Sequence, residues 1–533
     1  MNYQVVKTGF KQIIDLINEQ ELFTFIYDDP YILIKLASAT LLGLSTFYFS
    51  KIWYSYRFFK NRNIPTPPYR FFYGNNLELT RDNNYSEIIQ KWTEKYGKTY
   101  GYYEGHFPVV VTSDLEIIQE KIFGSRDDNA PDHMLFTASR TKWKVMRNIM
   151  NPTFSAAKLR EIGPLIVKSA DRLNQVLSNE GENEINISEF FKRFTMDSIW
   201  MSAFGEDIDV QNNPENKFFK KCEEMFVFMA KTNLTTHISN YFHEFQEIFL
   251  QTVIILEKFF SLFIDFNLFY PIIWFTNHVF EIVDRHKMEK GKKKNFLQLL
   301  IDAESDAKDD LLNIDDYTKV KLNKKLSQME IKLNLTLFMF AGYETTSTTL
   351  SYATYILAKY PDEQLKLFEA ISTVLDKEED VNSENVLEIE YLEWFVKEVL
   401  RIYPIANSAV ARRCTKSTKV KNIDVPEGLV IAVDVMSLHF DKDLWGPVDP
   451  NEFYPPRHET KRNPLGFMSF GNGPRNCIGM KFALIELKIA LCKLILNFEI
   501  LPSKKFPERL ELIETIVRRP KNGYNVILKK RNL

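Results

Sequence analysis

Residues 326–360 read as one unbroken helical pattern that stops only at Pro361. At 1.5 Å per residue such a helix spans roughly 50 Å. It must therefore run through the whole of a domain, with the other elements packed around it. Inside its apolar face, LTLFMF at 335–340, stands Ala341-Gly342-Tyr343-Glu344-Thr345-Thr346. A glycine costs about 1 kcal/mol in a helix interior, and an unpaired acid is expensive to bury. Breaking both rules together marks either a functional site or a solvated turn on an amphipathic helix, and both readings stand on these residues alone. Glu330, Lys332 and Glu344 exclude a membrane span here.

The composition fits a mostly helical body around an apolar cavity. The chain has 533 residues, 43 of them Phe and only 19 Gly, and 45% hydrophobic content argues against disorder. A net charge of −2 leaves no excess for phosphate contacts, so no nucleic-acid partner is expected. Cys222, Cys414, Cys477 and Cys492 are too few and too scattered for a disulfide framework or a zinc site, and fit a reducing compartment.

Residues 31–50 (YILIKLASATLLGLSTFYFS) carry one charge, Lys35, and are about as long as a bilayer core requires. They are expected to form a transmembrane anchor, with Lys35 reaching the headgroups. A buried core helix is the other reading. Residues 1–30 hold Lys7 and Lys11 against five acids, whereas 51–70 hold Lys51, Arg57, Lys60, Arg62 and Arg70 and no acid. The positive-inside rule then makes 1–30 a lumenal extension and puts everything after residue 50 in the cytosol. Residues 51–70 are a basic, Pro-rich linker, stiffened by Pro65, Pro67 and Pro68. Residues 71–533 are expected as one large unit, with strand-like runs such as FPVVVT at 107–112 and LVIAV at 429–433.

Two further constellations carry chemistry. Glu398 and Arg401 lie three apart in a helical run ending before Pro404, so they share a helix face and can pair. The second is Phe470-Gly471-Asn472-Gly473-Pro474-Arg475-Asn476-Cys477-Ile478-Gly479, ahead of an apolar helical run. Amides and dipole at that helix start favour a thiolate at Cys477, while the glycines let a flat ligand approach the backbone. The other three cysteines read as buried spectators. A phosphate cradle is a rival reading, but the run fails GxGxxG and no Walker lysine follows. A plain thiolate nucleophile is another, with no evident paired base.

FGNGPRNCIG matches every fixed position of the FGxGxRxCxG haem-binding signature, and the chain resembles the cytochrome P450 family. AGYETT and ExxR precede the signature in the family's order, and Trp143 with Arg147 resembles its WxxxR helix. The similarity runs from the proline hinge to near the C-terminus. It looks like the microsomal, membrane-anchored group that includes the steroid and xenobiotic oxidases and thromboxane synthase. The resemblance implies a mainly α fold, a large helical domain with small β-sheets, plus the N-terminal transmembrane helix in the endoplasmic reticulum membrane. It makes Cys477 the axial thiolate of haem b iron. Trp143, Arg147 and Arg475 map to propionate-binding positions, with Arg412 a fourth, and Phe470 opens the haem loop. Ala341 and Gly342 give room over the haem, and Glu344 and Thr345 map to the acid and alcohol that bring protons to bound oxygen. Arg457 maps to the arginine that joins the Glu398–Arg401 clamp, although Pro455-Pro456-Arg457-His458 departs from the common PERF.

The implied function is a monooxygenase inserting one oxygen atom from O2 into an apolar small molecule, a steroid, lipid or xenobiotic. No dinucleotide or flavin fingerprint appears, so electrons must come from a separate reductase; the resemblance implies the membrane-bound NADPH-cytochrome P450 reductase, with cytochrome b5 as a further donor. Arg140, Lys142, Lys144, Lys461, Arg462 and Lys481 are the expected docking face. An isomerase or dehydratase acting on a peroxide is one alternative, separated from the monooxygenase by a requirement for NADPH; a non-catalytic haem protein, which would show a ligand-induced spectral change but no product, is the other. Residues 259–280, aromatic and broken by Pro271, are expected to dip into the bilayer interface; a core helix pair is the other reading.

Overall fold

Ser327 opens the long helix with a reciprocal cap. Its hydroxyl accepts from Glu330 N at 3.3 Å, while the Glu330 carboxylate accepts from Ser327 N at 2.8 Å. The helix then runs Gln328–Lys359, a residue or two inside the expected limits, and gives way to Pro361. The computed structural model describes residues 31–81, 83–119, 123–125, 133–138, 140–230, 252, 271–288, 295–304, 325–375, 377–421 and 423–531.

The helices that matter below are α1 (Ile32–Ser55), α2 (Arg140–Met150), α3 (Ile187–Phe204), α4 (Lys217–Ala230), α5 (Pro271–Met288), α6 (Gln328–Lys359), α7 (Glu390–Ile402) and α8 (Met480–Asn497). The strands used below are β1 (Thr99–Glu104), β2 (Phe107–Thr112), β3 (Phe123–Ser125), β4 (Arg412–Cys414), β5 (Val430–Val433), β6 (Leu512–Glu514) and β7 (Arg518–Pro520). Strands β1 to β5 form one sheet in the order β1-β2-β5-β4-β3. Its β2–β5 pair is parallel, with Val109 opposite Val430, and its other pairs are antiparallel. The hairpin β6–β7 stands apart.

The chain forms two units that part between Asn63 and Ile64. In the first, α1 covers the expected anchor, and its Leu41, Leu42, Leu44 and Phe47 are exposed. Among the described residues no helix is long and apolar enough to cross a membrane. The span expected at 31–50 therefore exists as a helix without that apolarity, because Lys35, Ser38, Thr40, Ser45 and Thr46 interrupt the run. The expected lumenal extension, residues 1–30, lies outside the described residues.

In the second unit, α6 is wrapped on most sides, with Ile331, Leu335, Met339, Leu350 and Leu357 inside the main core. Helix α3 crosses it at Gly342, where an added Cβ would stand 3.0 Å from Ile199 Cδ1. That close approach gives the glycine a packing role in the crossing of the two helices. Thr195 on α3 seals the crossing by donating to Tyr343 O at 2.9 Å. The half of the 259–280 segment that is described also differs from expectation. Trp274 and Phe275 on α5 are buried, and Trp274 stacks on His278 at 3.8 Å, so this half is core. Residues 259–270 lie outside the described residues.

Candidate active site

Cys477 sits in the turn that leads into α8. Its amide donates to Phe470 O at 2.8 Å, Gly471 N donates to Met468 O at 2.8 Å, and Asn476 N donates to Gly473 O at 3.1 Å. Gly471 and Gly473 hold φ of 67° and 76°, a region open to glycine at no steric cost. A Cβ at Gly473 would meet nothing within 4 Å, so one side of the turn faces open space. Cys477 is exposed, whereas Cys222, Cys414 and Cys492 are buried as expected.

Helix α2 holds this turn from the side. Arg147 donates to Asn476 O at 2.8 Å and to Asn476 Oδ1 at 2.9 Å, so its planar fork grips the residue next to the sulfur. Burial lowers the Arg147 guanidinium pKa, and the nearby Cys477 opposes that shift. Arg475 lies over the Trp143 ring at 4.7 Å and donates to Ala138 O at 2.5 Å. Three expected residues, Trp143, Arg147 and Arg475, thus meet around the cysteine turn. Asn476 was not singled out from sequence; its place at a variable position of the signature gave no signal, though its adjacency to Cys477 did.

Behind the turn stands the carboxylate of Glu398. It accepts from Arg401 Nε (2.8 Å) and Nη2 (2.9 Å), from Arg457 Nε (2.8 Å) and from Tyr454 N (3.0 Å), and lies 2.9 Å from His458 Nε2. Burial would raise this carboxyl, but the bonds from Arg401 and His458 and the charge of Arg457 bring it down to about 2. The histidine that departs from the common meander is thus a fourth member of the clamp. A second histidine, His439, carries the clamp forward. Its Nδ1 meets Arg401 O at 2.9 Å, and its Nε2 accepts from Met468 N at 2.9 Å. Met468 O in turn receives Gly471 N, so a continuous line of bonds joins α7 to the cysteine turn.

On α6, Ala341 is exposed although Tyr343 and Glu344 beside it are buried. Thr345, one turn on, is half-buried and donates to Ala341 O at 2.7 Å. Together they mark an open space against a core helix. Glu344 points elsewhere, with Oε1 3.4 Å from Arg519 Nε. Burial raises its pKa, while Lys192 and Arg519 oppose the shift.

Two of the expected docking cations are engaged within the chain. Lys142 is paired with Glu330 at 3.0 Å, and Arg462 turns inward to Leu444 O and Arg457 O. Lys144, Lys461 and Lys481 are exposed; the side chain of Arg140 lies outside the described ones.

An exposed cysteine in a glycine turn flanked by the guanidiniums of Arg147 and Arg475 is compatible with a haem-thiolate centre. Comparison with known proteins agrees. The family described as cytochrome P450 matches residues 64–527. The chain is 32% identical to cytochrome P450 3A31 of Mesocricetus auratus, over 94% of this chain and 96% of the relative. It is 31% identical to cytochrome P450 3A2 of Rattus norvegicus (87% and 90%) and 32% identical to cytochrome P450 3A13 of Mus musculus (88% and 92%). The chain belongs to the cytochrome P450 family. It is a haem-thiolate monooxygenase that takes electrons from a redox partner.

The residues fit that cofactor. Arg412 is largely buried, and burial pulls its guanidinium down to about 10. Its Nη1 donates only to the carbonyls of Ala409 and Ala411, and among the described residues no carboxylate pairs with it. A buried cation in that condition calls for an anion, and haem brings two carboxylates.

Proposed function

We propose that Cys477 would supply the thiolate ligand to haem iron, and that Trp143, Arg147, Arg412 and Arg475 would hold the haem carboxylates. The bonding that presents the Cys477 sulfur, from Phe470 O on one side and the Arg147–Asn476 fork on the other, is the observation that carries this reading. When bound, haem supplies an iron that binds and activates O2, with the thiolate favouring O–O cleavage. The chain's own residues do the rest. Ala341 leaves space for an apolar substrate, and the Thr345 hydroxyl, held by Ala341 O, is placed to pass a proton. Glu344 is the acid that resupplies it. Glu398, Arg401, Arg457 and His458 keep the cysteine turn in position without touching substrate.

The substrate class is an apolar small molecule such as a steroid, lipid or xenobiotic. NADPH-cytochrome P450 reductase is the electron donor, with cytochrome b5 as a second, and Lys144, Lys461 and Lys481 are the docking cations. Helix α1 anchors the chain in the endoplasmic reticulum membrane by a single span at 31–50, with 71–533 in the cytosol. Its exposed leucines support this, as does the Thr46 hydroxyl, which is satisfied inside the helix by Leu42 O at 2.7 Å.

The carbon monoxide difference spectrum of reduced membranes tests the assignment, with Cys477→Ala alongside. A red-shifted Soret band present in the native protein and lost in the variant is the expected result. The same band in both would remove Cys477 from the iron. Product formation that needs no NADPH would replace the monooxygenase by the isomerase.

A further inference from the structure

Arg412 is seated by a stretch of chain that is itself gripped from outside. Its Nη1 donates to Ala409 O at 3.0 Å and to Ala411 O at 2.8 Å, and Ala409 belongs to the short turn Asn407–Val410. That stretch is fixed at two points, and both lead to the β6–β7 hairpin. Directly, Arg518 N on β7 donates to Ile405 O at 2.8 Å. Indirectly, Asn407 Nδ2 donates to Ser86 Oγ at 2.7 Å, and Ser86 Oγ donates in turn to Glu514 Oε1 on β6 at 2.6 Å.

Glu514 also holds Ser86 by its backbone. Its Oε2 accepts from Ser86 N at 2.8 Å, in the first turn of the helix Tyr85–Tyr96, where the leading residue Asn84 makes no side-chain cap. A carboxyl group 428 residues downstream thus takes an amide that the helix start leaves unpaired. Arg518 Nη2 reaches Glu87 Oε1 at 3.1 Å in the same turn, and Tyr352 on α6 donates to Arg518 O at 2.8 Å. Ser86, Asn407, Glu514 and Arg518 are all buried. Stranding a buried polar group is costly, so displacing one member disturbs the others.

We propose that Glu514 is a positioning residue for Arg412. Acting through Ser86 and Asn407, it sets the turn whose carbonyl holds the guanidinium, and so the place of the cation that a haem carboxylate would meet. This rests on the reading above that Arg412 holds haem.

The test follows haem transfer from the ferric full-length protein to an apoglobin, in Asn407→Ala, Arg412→Gln and the double variant. Asn407→Ala leaves the Glu514–Ser86 bonds in place and removes only the tie to the turn. It should release haem about fivefold faster, the effect of losing one buried hydrogen bond. Arg412→Gln should release haem at least about tenfold faster. In the double variant the Asn407 change should add less than about twofold, because the side chain it acts through is gone. The haem propionate bending band in resonance Raman spectra should shift in both single variants and move no further in the double. Glu514→Leu, in protein with a normal carbon monoxide band, should act in the same direction as Asn407→Ala, and Glu514→Gln, which keeps an acceptor for Ser86 N, should lie close to native. Full additivity in the double variant, or a native rate in Asn407→Ala beside a fast Arg412→Gln, overturns the positioning role and leaves the Arg412 assignment standing. A native rate and an unmoved band in Arg412→Gln remove Arg412 from haem, and the proposal falls with it.

Discussion

Arg147 grips Asn476 twice, through the backbone carbonyl at 2.8 Å and the side-chain oxygen at 2.9 Å. The fork immobilises the residue that precedes Cys477. Arg147→Ala should therefore loosen the cysteine turn as well as remove a cation from the cradle. The loss of charge-assisted bonds of about 1.5 to 3 kcal/mol predicts haem release at least tenfold faster. Transfer of haem to an apoglobin measures it, and a native rate would show the fork to be idle.

Glu398 receives two guanidiniums and a histidine in a site that excludes water. Glu398→Ala strands buried cations, at a cost of about 3 to 5 kcal/mol. The expected result is little or no folded holoprotein. His458→Gln keeps a donor toward Glu398 and should fold, with a midpoint only slightly lowered. Equal loss in both variants would mean that the ring itself, packed 5.3 Å from Trp445, is what the site requires.

Acid should release the cysteine turn. His439 is held neutral by burial, its pKa lowered to about 3 from an unfolded value of about 6.5. Between those values the unfolded chain binds the extra proton, so stability falls as pH drops from about 6.5 toward 3. Glu398, lowered to about 2, acts in the same direction below about 4.5. Haem retention measured against pH should decline through this window. Replacing His439 with Asn should flatten the upper part of the curve; an unaltered curve would place the acid-sensitive group elsewhere.

Deleting residues 1–63 should leave a body that binds haem, since the division between the two units falls at Asn63 and Ile64. Its carbon monoxide spectrum should match the full chain, while the protein moves from the membrane pellet toward the supernatant. Retention in the pellet would assign membrane binding to the body rather than to α1.

The parts read correctly from sequence are those whose logic is local. The long helix announces itself by periodicity and Pro361, and FGNGPRNCIG carries its turn glycines and cysteine within ten residues. What escaped depends on partners far along the chain. His439 matters because Arg401 O and Met468 N converge on it. Lys142 looked like a free docking cation until Glu330 met it at 3.0 Å. The packing of Gly342 against Ile199 is likewise invisible in sequence, since nothing near Gly342 in the chain reveals that Ile199 crosses there.

The parallel β2–β5 pair sets Val109 against Val430, 321 residues later. At translation rates of about 5 to 20 residues per second, the first of these strands waits roughly 15 to 65 s for the second. During that interval β2 has only β1 beside it, and its other edge is an unpaired template of the kind that recruits other chains. The protein's biosynthesis therefore passes through a stage in which its central sheet is half built, and the yield in cells should depend on chaperones that cover that edge.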